Sequence, residues 1–495
     1  MNLFFKGHDY KYAVEQMLLT LFPGKKPLYP EGTPEGEEPW VRVSLSSGAV
    51  FSTAKTELFS DGRLHTFSSR VKTAGLSGGV ELDRAHTKAI KLSFYRAGTE
   101  ALGKEPPWGA LTGVRPVKLP TKAMLAGETP AQAEAALRDT YHVTPSRVQL
   151  AMDCARASIK AKKSLRDGEV SLYVGIPFCP TRCAYCSFVS ADVGRTLKLV
   201  EPYLAALSRE VAALGAILAR ENLFVRTVYI GGGTPTTLSA EQLSALMHEI
   251  EKHIDLSHCS EYTVEAGRPD TITAEKLAAI KNGGADRVSV NPQTMHDRVL
   301  AAMGRAHSAA DILAAYELVR ESGIPCVNMD LIAGLPEDSV EGFCSSLDRV
   351  LALGAENITV HTLALKKGSR LTLEGGSIPS AEDVADMLDY AWAKLREAGY
   401  EPYYLYRQKY MSGSFENVGW TKPGYENLYN IAMMEELHTV LALGGGGVTK
   451  LVDGARGKIE RMADPKYPYE YISGIDKIAA EKEKIAEFYA NTRRM

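Results

Sequence analysis

Gly175-Ile-Pro-Phe-Cys-Pro-Thr-Arg-Cys-Ala-Tyr-Cys-Ser-Phe188 is the stretch from which this chain is read. Cys179, Cys183 and Cys186 lie within eight positions, at CxxxCxxC spacing. Three thiolates on one short loop can hold three irons of a cubane cluster and leave the fourth iron open, whereas iron–sulfur clusters are normally held by four cysteines. A site short of one protein ligand is built to take a small molecule, as in open catalytic metal sites. The competing readings are half a zinc site, a redox dithiol or a disulfide framework. A zinc ribbon needs a second CxxC pair, and none is present. A redox dithiol has no use for the cysteine upstream. Seven cysteines, an odd number, argue against paired disulfides. Cys154, Cys259, Cys326 and Cys344 are isolated and read as small buried hydrophobes.

Working outward, the loop follows a β-rich run, Leu172 to Ile176, and from there such runs alternate with amphipathic stretches. Further strands are expected at Thr227 to Ile230, Tyr262 to Glu265, Arg287 to Asn291, Cys326 to Ile332 and Ile358 to Leu363. Helices are expected at Val200 to Arg220, Ala240 to His253, Ala274 to Lys281, Ala309 to Ser322 and Val340 to Leu353. Strands separated by helices indicate βαβ units and a parallel sheet. Six units predict an α/β fold built on a partial (β/α)6 barrel. Chemistry in such barrels sits at the C-terminal ends of the strands. The cysteine loop, Gly231-Gly-Gly-Thr-Pro-Thr236, Glu265, Asn291 and Gln293, Asp330 and Gly334-Leu-Pro336 all fall on that rim.

The barrel is expected over 166–365. Residues 1–165 are expected to form an α+β domain, with a strand from Trp40, a helix from Asp83 to Arg96 and a turn-rich segment Pro106 to Pro116. Residues 366–495 are expected to form a third, α+β region covering the substrate. It has a helix from Ala381 to Ala398, an aromatic segment from Tyr403 to Tyr429 and Gly444 to Gly447. That aromatic segment reads equally as a domain core or, with Arg407, Lys409 and Lys422, as a face for a flat anionic ligand. The basic run Ser158 to Arg166 reads as a solvated helix end.

The chain has 495 residues, 45% hydrophobic and 24% charged, with a net charge of −3. This is the balance of a globular protein and carries no sign of a nucleic-acid binder. No apolar run is expected to approach the length of a membrane span and the N-terminus lacks signal-peptide features, which predicts a cytoplasmic protein.

Gly231 to Thr234 lets backbone approach a ligand, or makes a tight turn with none. Glu265 and Asp330 read as ligand-binding carboxylates or as partners in a structural ion pair, with Arg287 the candidate cation. Arg305 could clamp a carboxylate, and His307 reads as a helix-N-terminal neighbour.

The cysteine spacing, with an aromatic residue before the last cysteine, resembles the radical S-adenosylmethionine superfamily. Together with Gly231-Gly-Gly-Thr-Pro-Thr236, Met303-Gly-Arg-Ala-His307 and Asp330-Leu-Ile-Ala-Gly-Leu-Pro336 it is similar to the oxygen-independent coproporphyrinogen III oxidase (HemN-like) family. The Gly-Val-Arg-Pro stretch ending at Pro116, and Tyr403-Tyr-Leu-Tyr-Arg-Gln-Lys-Tyr410 with Glu416-Asn-Val-Gly419, look most like its HemZ branch. The resemblance implies a [4Fe–4S] cluster on Cys179, Cys183 and Cys186. It implies S-adenosylmethionine contacts from Tyr173, Tyr185, Ser187, Gly232, Gly233, Thr234, Glu265, Gln293, Arg305, Asp330 and Ala364. Glu265 and Asp330 would take the catalytic positions. It further implies a tetrapyrrole substrate, an electron donor such as flavodoxin or ferredoxin, and oxidative decarboxylation of coproporphyrinogen III to protoporphyrinogen IX. Arg115 is the candidate propionate clamp. Phe188 stands where the founding enzyme has a fourth cysteine that is not a cluster ligand, and the heme chaperone branch also has an aromatic there. A heme chaperone, or a different radical reaction such as tetrapyrrole methylation or ring opening, is therefore the alternative.

Overall fold

The computed structural model describes the chain except residues 35, 77, 182, 187–190, 365–377, 409–414, 455 and 494–495, together with the side chains of 192, 193, 195 and 493. It forms two compact units: Met1–Met152 with Arg407–Phe415, and Asp153–Tyr406 with Glu416–Met495. The first unit ends within the helix Pro145–Ser164, short of the boundary expected near 165.

In the first unit, β1 (Asn2–Lys6), β2 (Trp40–Ser47), β3 (Phe51–Ser60) and β4 (Arg63–Lys72) form one sheet in that order. Strict alternation in β3 turns Ser52, Ala54, Thr56 and Leu58 inward. Val41, Val43, Ala54 and Leu58 pack against α1 (Lys11–Leu21) and α2 (Val80–Leu102) through Val14, Met17, Leu18, Ile90 and Phe94. The helix expected from Asp83 to Arg96 thus runs longer, and Gly103 ends it in the left-handed region at φ 65°.

The second unit holds an 11-stranded sheet. Its centre is six parallel strands in sequence order: β5 (Glu169–Ile176), β6 (Phe224–Gly232), β7 (Glu261–Glu265), β8 (Arg287–Ser289), β9 (Cys326–Ala333) and β10 (Asn357–Thr362). Between them lie α3 (Val200–Glu221), α4 (Ala240–His253), α5 (Ala274–Asn282), α6 (Ala309–Ser322) and α7 (Val340–Leu353), and α8 (Ala381–Glu397) follows. The expected helices match these to within a residue or two. Their starts are fixed chemically: Ser239 and Gln242 close a capping box on α4, and Ser308 and Asp311 do so on α6.

The sheet does not close on itself. Beyond β10 lie β11 (Glu401–Arg407) and β12 (Glu416–Thr421), and β12 runs antiparallel to β10. Beyond β5 lie β13 (Val440–Leu443), β14 (Val448–Asp453) and β15 (Lys458–Ala463). β13 is a seventh parallel strand, paired with β5 from Val440 opposite Ser171 to Leu443 opposite Val174. The stretch from 416 onward therefore shares the barrel's sheet and compact unit, where a separate third region was expected.

Among the described residues one helical stretch, Leu197–Glu221, is long and apolar enough to cross a membrane, contrary to the expectation that no run approaches that length. Half of it is buried inside the fold, and it carries Glu210 into a buried ion cluster. Lys482 Nζ lies 2.6 Å from Glu210 Oε1 and 3.2 Å from Asp464 Oδ2. On the same helix, Tyr203 donates to Gly175 O at 2.5 Å and accepts from Gly445 N at 2.7 Å. The run Gly444 to Gly447 is thus a packing seam, since a Cβ on Gly444 would strike Gly175 O.

Most of the described aromatic residues of this segment are core, while Tyr425 is exposed. Tyr403, Tyr404, Trp420 and Tyr429 are buried, the first two in a cluster with Ala161, Ile431, Ala432 and Leu437. Its cations are committed elsewhere. Lys422 donates to Gly354 O at 2.6 Å at the strand-entry end of the barrel, and Arg407 lies over the Trp108 ring at 5.6 Å. Lys409 and Tyr410 lie outside the described residues.

The strand-entry end is closed by the segment around α9 (Leu428–Glu435). Glu261, at the start of β7, accepts from Leu428 N at 2.6 Å and Tyr429 N at 3.0 Å. Arg287, at the start of β8, donates to Tyr425 O at 2.8 Å and sits 3.7 Å from Glu261. The expected ion pair between Arg287 and Glu265 is therefore not formed, because the two sit at opposite ends of their strands.

Candidate active site

The opposite end carries the cysteine loop, and neighbouring loops hold it by backbone bonds. Gly233 N donates to Ile176 O at 2.8 Å, Thr234 N to Phe178 O at 2.7 Å, and Ala184 N to Met303 O at 3.0 Å. Glycine is required here for packing. Gly232 sits at φ +114°, and a Cβ on Gly233 would lie 2.5 Å from Phe178 O and 3.0 Å from Cys179 Sγ. Thr234 Oγ1 donates to Cys179 Sγ at 3.5 Å.

Cys183 is buried, while Cys179 and Cys186 are partly exposed, and none of the three is in a disulfide. Among the described residues no three His, Cys, Asp or Glu side chains form a single-ion site. Ligands spread over several irons would not converge on one point. Cys154 and Cys326 are buried as expected, whereas Cys259 and Cys344 are partly exposed.

Beside the loop the strand ends carry a polar floor. Tyr173 on β5 pairs in register with Tyr229 on β6, and their rings stack with that of Tyr429 at 6.3 and 4.5 Å steps. Tyr229 donates to Glu265 Oε1 at 2.5 Å. Burial raises the Glu265 carboxyl to about 7; Asp330 adds to the rise and the Tyr229 bond opposes it. Burial also raises the Tyr229 phenol, so it stays a donor. Asp330 behaves oppositely. Burial pushes it up, but His361 at 3.6 Å and Asn328 at 2.7 Å outweigh that, and it stays below the ordinary carboxylate value.

Next to this floor lie buried polar atoms with no protein partner: Ser289 Oγ, Asn291 Oδ1, Gln293 Oε1 and Arg305 Nε. Each such atom costs about 1–3 kcal/mol unless something completes it. Gln293 adopts φ +67°, uncommon for a residue with a Cβ, and its N–H donates to Asp330 O at 2.9 Å. Arg305 donates to Asn291 O at 2.8 Å and to the Tyr185 hydroxyl at 3.1 Å. A polar ligand with donors and acceptors of its own would satisfy this set.

The structure thus brings together Tyr173, Tyr185, Gly232, Gly233, Thr234, Glu265, Gln293, Arg305 and Asp330 with the three cysteines. Ala364 follows β10 and makes no polar side-chain contact; Ser187 lies outside the described residues. Sequence reasoning missed Arg268 and Asp270. Arg268 is buried, reaches Thr181 O at 3.1 Å and Cys183 Sγ at 3.7 Å, and is held by Asp270 at 3.2 Å. The available signal was Ala266-Gly-Arg-Pro-Asp270 directly after strand-end Glu265. His307 is buried just ahead of α6, as expected for a helix neighbour, with Nδ1 3.4 Å from Asp270.

The profile of the Radical SAM superfamily matches residues 173–348. The chain is 40% identical over 403 residues to the oxygen-independent coproporphyrinogen-III oxidase-like protein HemZ of Bacillus subtilis, covering 80% of each. This chain belongs to the HemZ-like family of the radical SAM superfamily. It is also 32% identical over 310 residues to the heme chaperone HemW of B. subtilis, covering 60% of this chain and 77% of that one. Coproporphyrinogen III oxidase HemN of Escherichia coli has the same fold, with a TM-score of 0.52 at 23% identity, over 66% of this chain and 73% of that one. The cofactors of the superfamily are a [4Fe–4S] cluster and S-adenosylmethionine, and both fit the donor set present here. Three thiols share one loop, and an incomplete set of buried polar groups lies beside them.

Proposed function

We propose that this chain is a radical S-adenosylmethionine enzyme of tetrapyrrole metabolism, acting in the cytoplasm on the propionates of coproporphyrinogen III. The reading is carried by the grouping, on one rim, of the cysteine loop, the glycine turn and the Glu265–Asp330 pair. The substrate class draws on the likeness to HemZ.

In this proposal Cys179, Cys183 and Cys186 ligate the cluster. When bound and reduced by a donor such as flavodoxin or ferredoxin, the cluster supplies the electron that cleaves S-adenosylmethionine to a 5′-deoxyadenosyl radical. The protein's part is to bind and orient. Glu265 and the backbone of Gly232 to Thr234 take the ammonium of the methionine moiety, and its positive charge keeps Glu265 ionised despite burial. The ligand's carboxylate completes Arg305, which is permanently charged. Gln293 and Asp330 take ribose hydroxyls, Tyr173, Tyr185 and Ser187 line the nucleoside, and Ala364 leaves room beside it. Removal of a hydrogen atom from the β-carbon of a propionate, then loss of CO₂ and one electron to an acceptor, gives a vinyl group. Two such events give protoporphyrinogen IX.

The test is anaerobic reconstitution, reduction, addition of S-adenosylmethionine and coproporphyrinogen III, and mass spectrometry of the products. Loss of CO₂ with formation of 5′-deoxyadenosine supports the decarboxylase. Deoxyadenosine with unchanged porphyrinogen rejects this substrate and redirects the search to methylation or ring opening. The second reading is a heme chaperone, favoured by the likeness to HemW and by the aromatic residue at Phe188. Stoichiometric heme binding without turnover supports it.

A further inference from the structure

We propose that Arg268 is a positioning residue that raises the reduction potential of the cluster through the thiolate of Cys183. This rests on the reading that Cys183 is a cluster ligand. Arg268 lies three residues past the end of β7 and is 3% exposed. Its Nη1 reaches both Thr181 O and Cys183 Sγ, at 3.1 and 3.7 Å. Its other side is fixed by Asp270, with Nε–Oδ1 at 3.2 Å and Nη2–Oδ2 at 3.5 Å. His307 Nδ1, from the loop ahead of α6, lies 3.4 Å from Asp270 Oδ1. The result is a buried guanidinium that ends on a sulfur and is held from the rim by Asp270, whose own side chain is partly exposed.

A buried arginine needs an anion and acceptors, and Asp270 with Thr181 O already supply them. The third reach, to Cys183, places a permanent positive charge and an N–H donor beside a thiolate. Adding an electron to a cluster adds negative charge, and hydrogen bonds to sulfur and local charge are among the factors that set its potential. Arg305 also bonds to Cys183, but it reaches Asn291 O and the Tyr185 hydroxyl as well and its unpartnered Nε belongs to the ligand pocket, so any effect it has on the cluster is tied to the ligand. The side-chain bonds of Arg268 go to Thr181, Cys183 and Asp270, none of them assigned to S-adenosylmethionine. Its effect is therefore separable from ligand binding.

The test compares wild type, Arg268→Gln, Arg268→Lys and Asp270→Asn after reconstitution, without substrate. Iron and sulfide per chain are counted first. The midpoint of a redox titration followed by electron paramagnetic resonance is then measured. With four irons retained, Arg268→Gln is expected to make reduction at least tenfold less favourable, a midpoint lower by 59 mV for one electron. Arg268→Lys keeps the charge without the planar fork and falls between; Asp270→Asn loosens the guanidinium but also removes a negative charge, two opposed effects on the midpoint, so it is read for iron retention only. An unchanged midpoint in Arg268→Gln at full iron overturns the proposal. Where Arg268→Gln loses iron, Arg268→Lys decides, and a wild-type midpoint in it overturns the proposal. Loss of iron in all three variants also overturns it, leaving Arg268 a role in assembly alone. A wild-type chain that takes up no four-iron cluster overturns the underlying reading, a failure visible before any titration.

Discussion

Glu265→Gln should make the ligand-free chain more stable at alkaline pH while abolishing its affinity for S-adenosylmethionine. The carboxyl of Glu265 titrates near 7 in the fold, against an ordinary 4.5. A raised carboxyl pKa means that the folded chain holds the proton more tightly than the unfolded one. Stability from this group is therefore intact below pH 4.5, falls as pH rises from 4.5 to 7, and levels off above 7. The rise from 4.5 to about 7 corresponds to roughly 3 kcal/mol. Glu265 keeps some exposure at the rim, which lowers the expected cost to about 2 kcal/mol. Glutamine keeps an acceptor for Tyr229 and carries no charge, so it escapes the cost. The assay is urea unfolding of wild type and variant, free of cluster and ligand, at pH 5 and pH 8. The variant is expected to gain about 2 kcal/mol at pH 8 and well under 1 kcal/mol at pH 5. Equilibrium dialysis of S-adenosylmethionine against the reconstituted proteins should show binding only to wild type. A variant less stable than wild type at pH 8, or a gain that does not depend on pH, would refute the reasoning.

Cys183→Ala should reconstitute with little iron, read by iron analysis and by loss of charge-transfer absorption, while its circular dichroism stays native. Gly233→Ala should push the cysteine loop off the glycine turn, costing about 2 kcal/mol in urea unfolding and lowering iron uptake, because its Cβ would enter Phe178 O and Cys179 Sγ. Lys482→Met leaves Glu210 and Asp464 buried without their cation and should cost about 3–5 kcal/mol in the same assay. Arg115→Ala should raise the apparent substrate constant and leave deoxyadenosine formation unchanged; loss of that formation would remove Arg115 from the list of substrate clamps.

The six β/α units were legible because each is local. A short apolar run, a capping serine and an amphipathic helix lie within about thirty residues of one another, as in Ser308 and the helix to Ser322. The rim followed from topology alone, since strand ends collect chemistry. β13 was not legible, because four apolar residues carry no sign of a partner strand more than 260 residues earlier, a separation seen directly in the bond between Ser171 and His438. The aromatic segment is ambiguous in sequence for a related reason. Tyr403 and Tyr429 look alike in sequence whether they face a ligand or a core, and only long-range packing decides. Arg268 was missed because a single arginine after a strand has no spacing signature. Its meaning comes from Cys183 and Asp270, which the loops bring to it.

The capping of β7 and β8 by Tyr425 to Tyr429 bears on how the molecule is made. Glu261 waits for amides that lie 168 residues downstream, and synthesis proceeds at about 5–20 residues per second. For several seconds the nascent barrel would hold a buried-type carboxylate, Arg287 and Asn357 without their final partners. The stretch that carries all three cysteines is then on the solvent side of the ribosome while the far mouth of the barrel is still open. Loading of the cluster is thus expected to become secure only after translation of this late segment, and a chain cut short before it would be a poor vessel for iron even with every thiol in place.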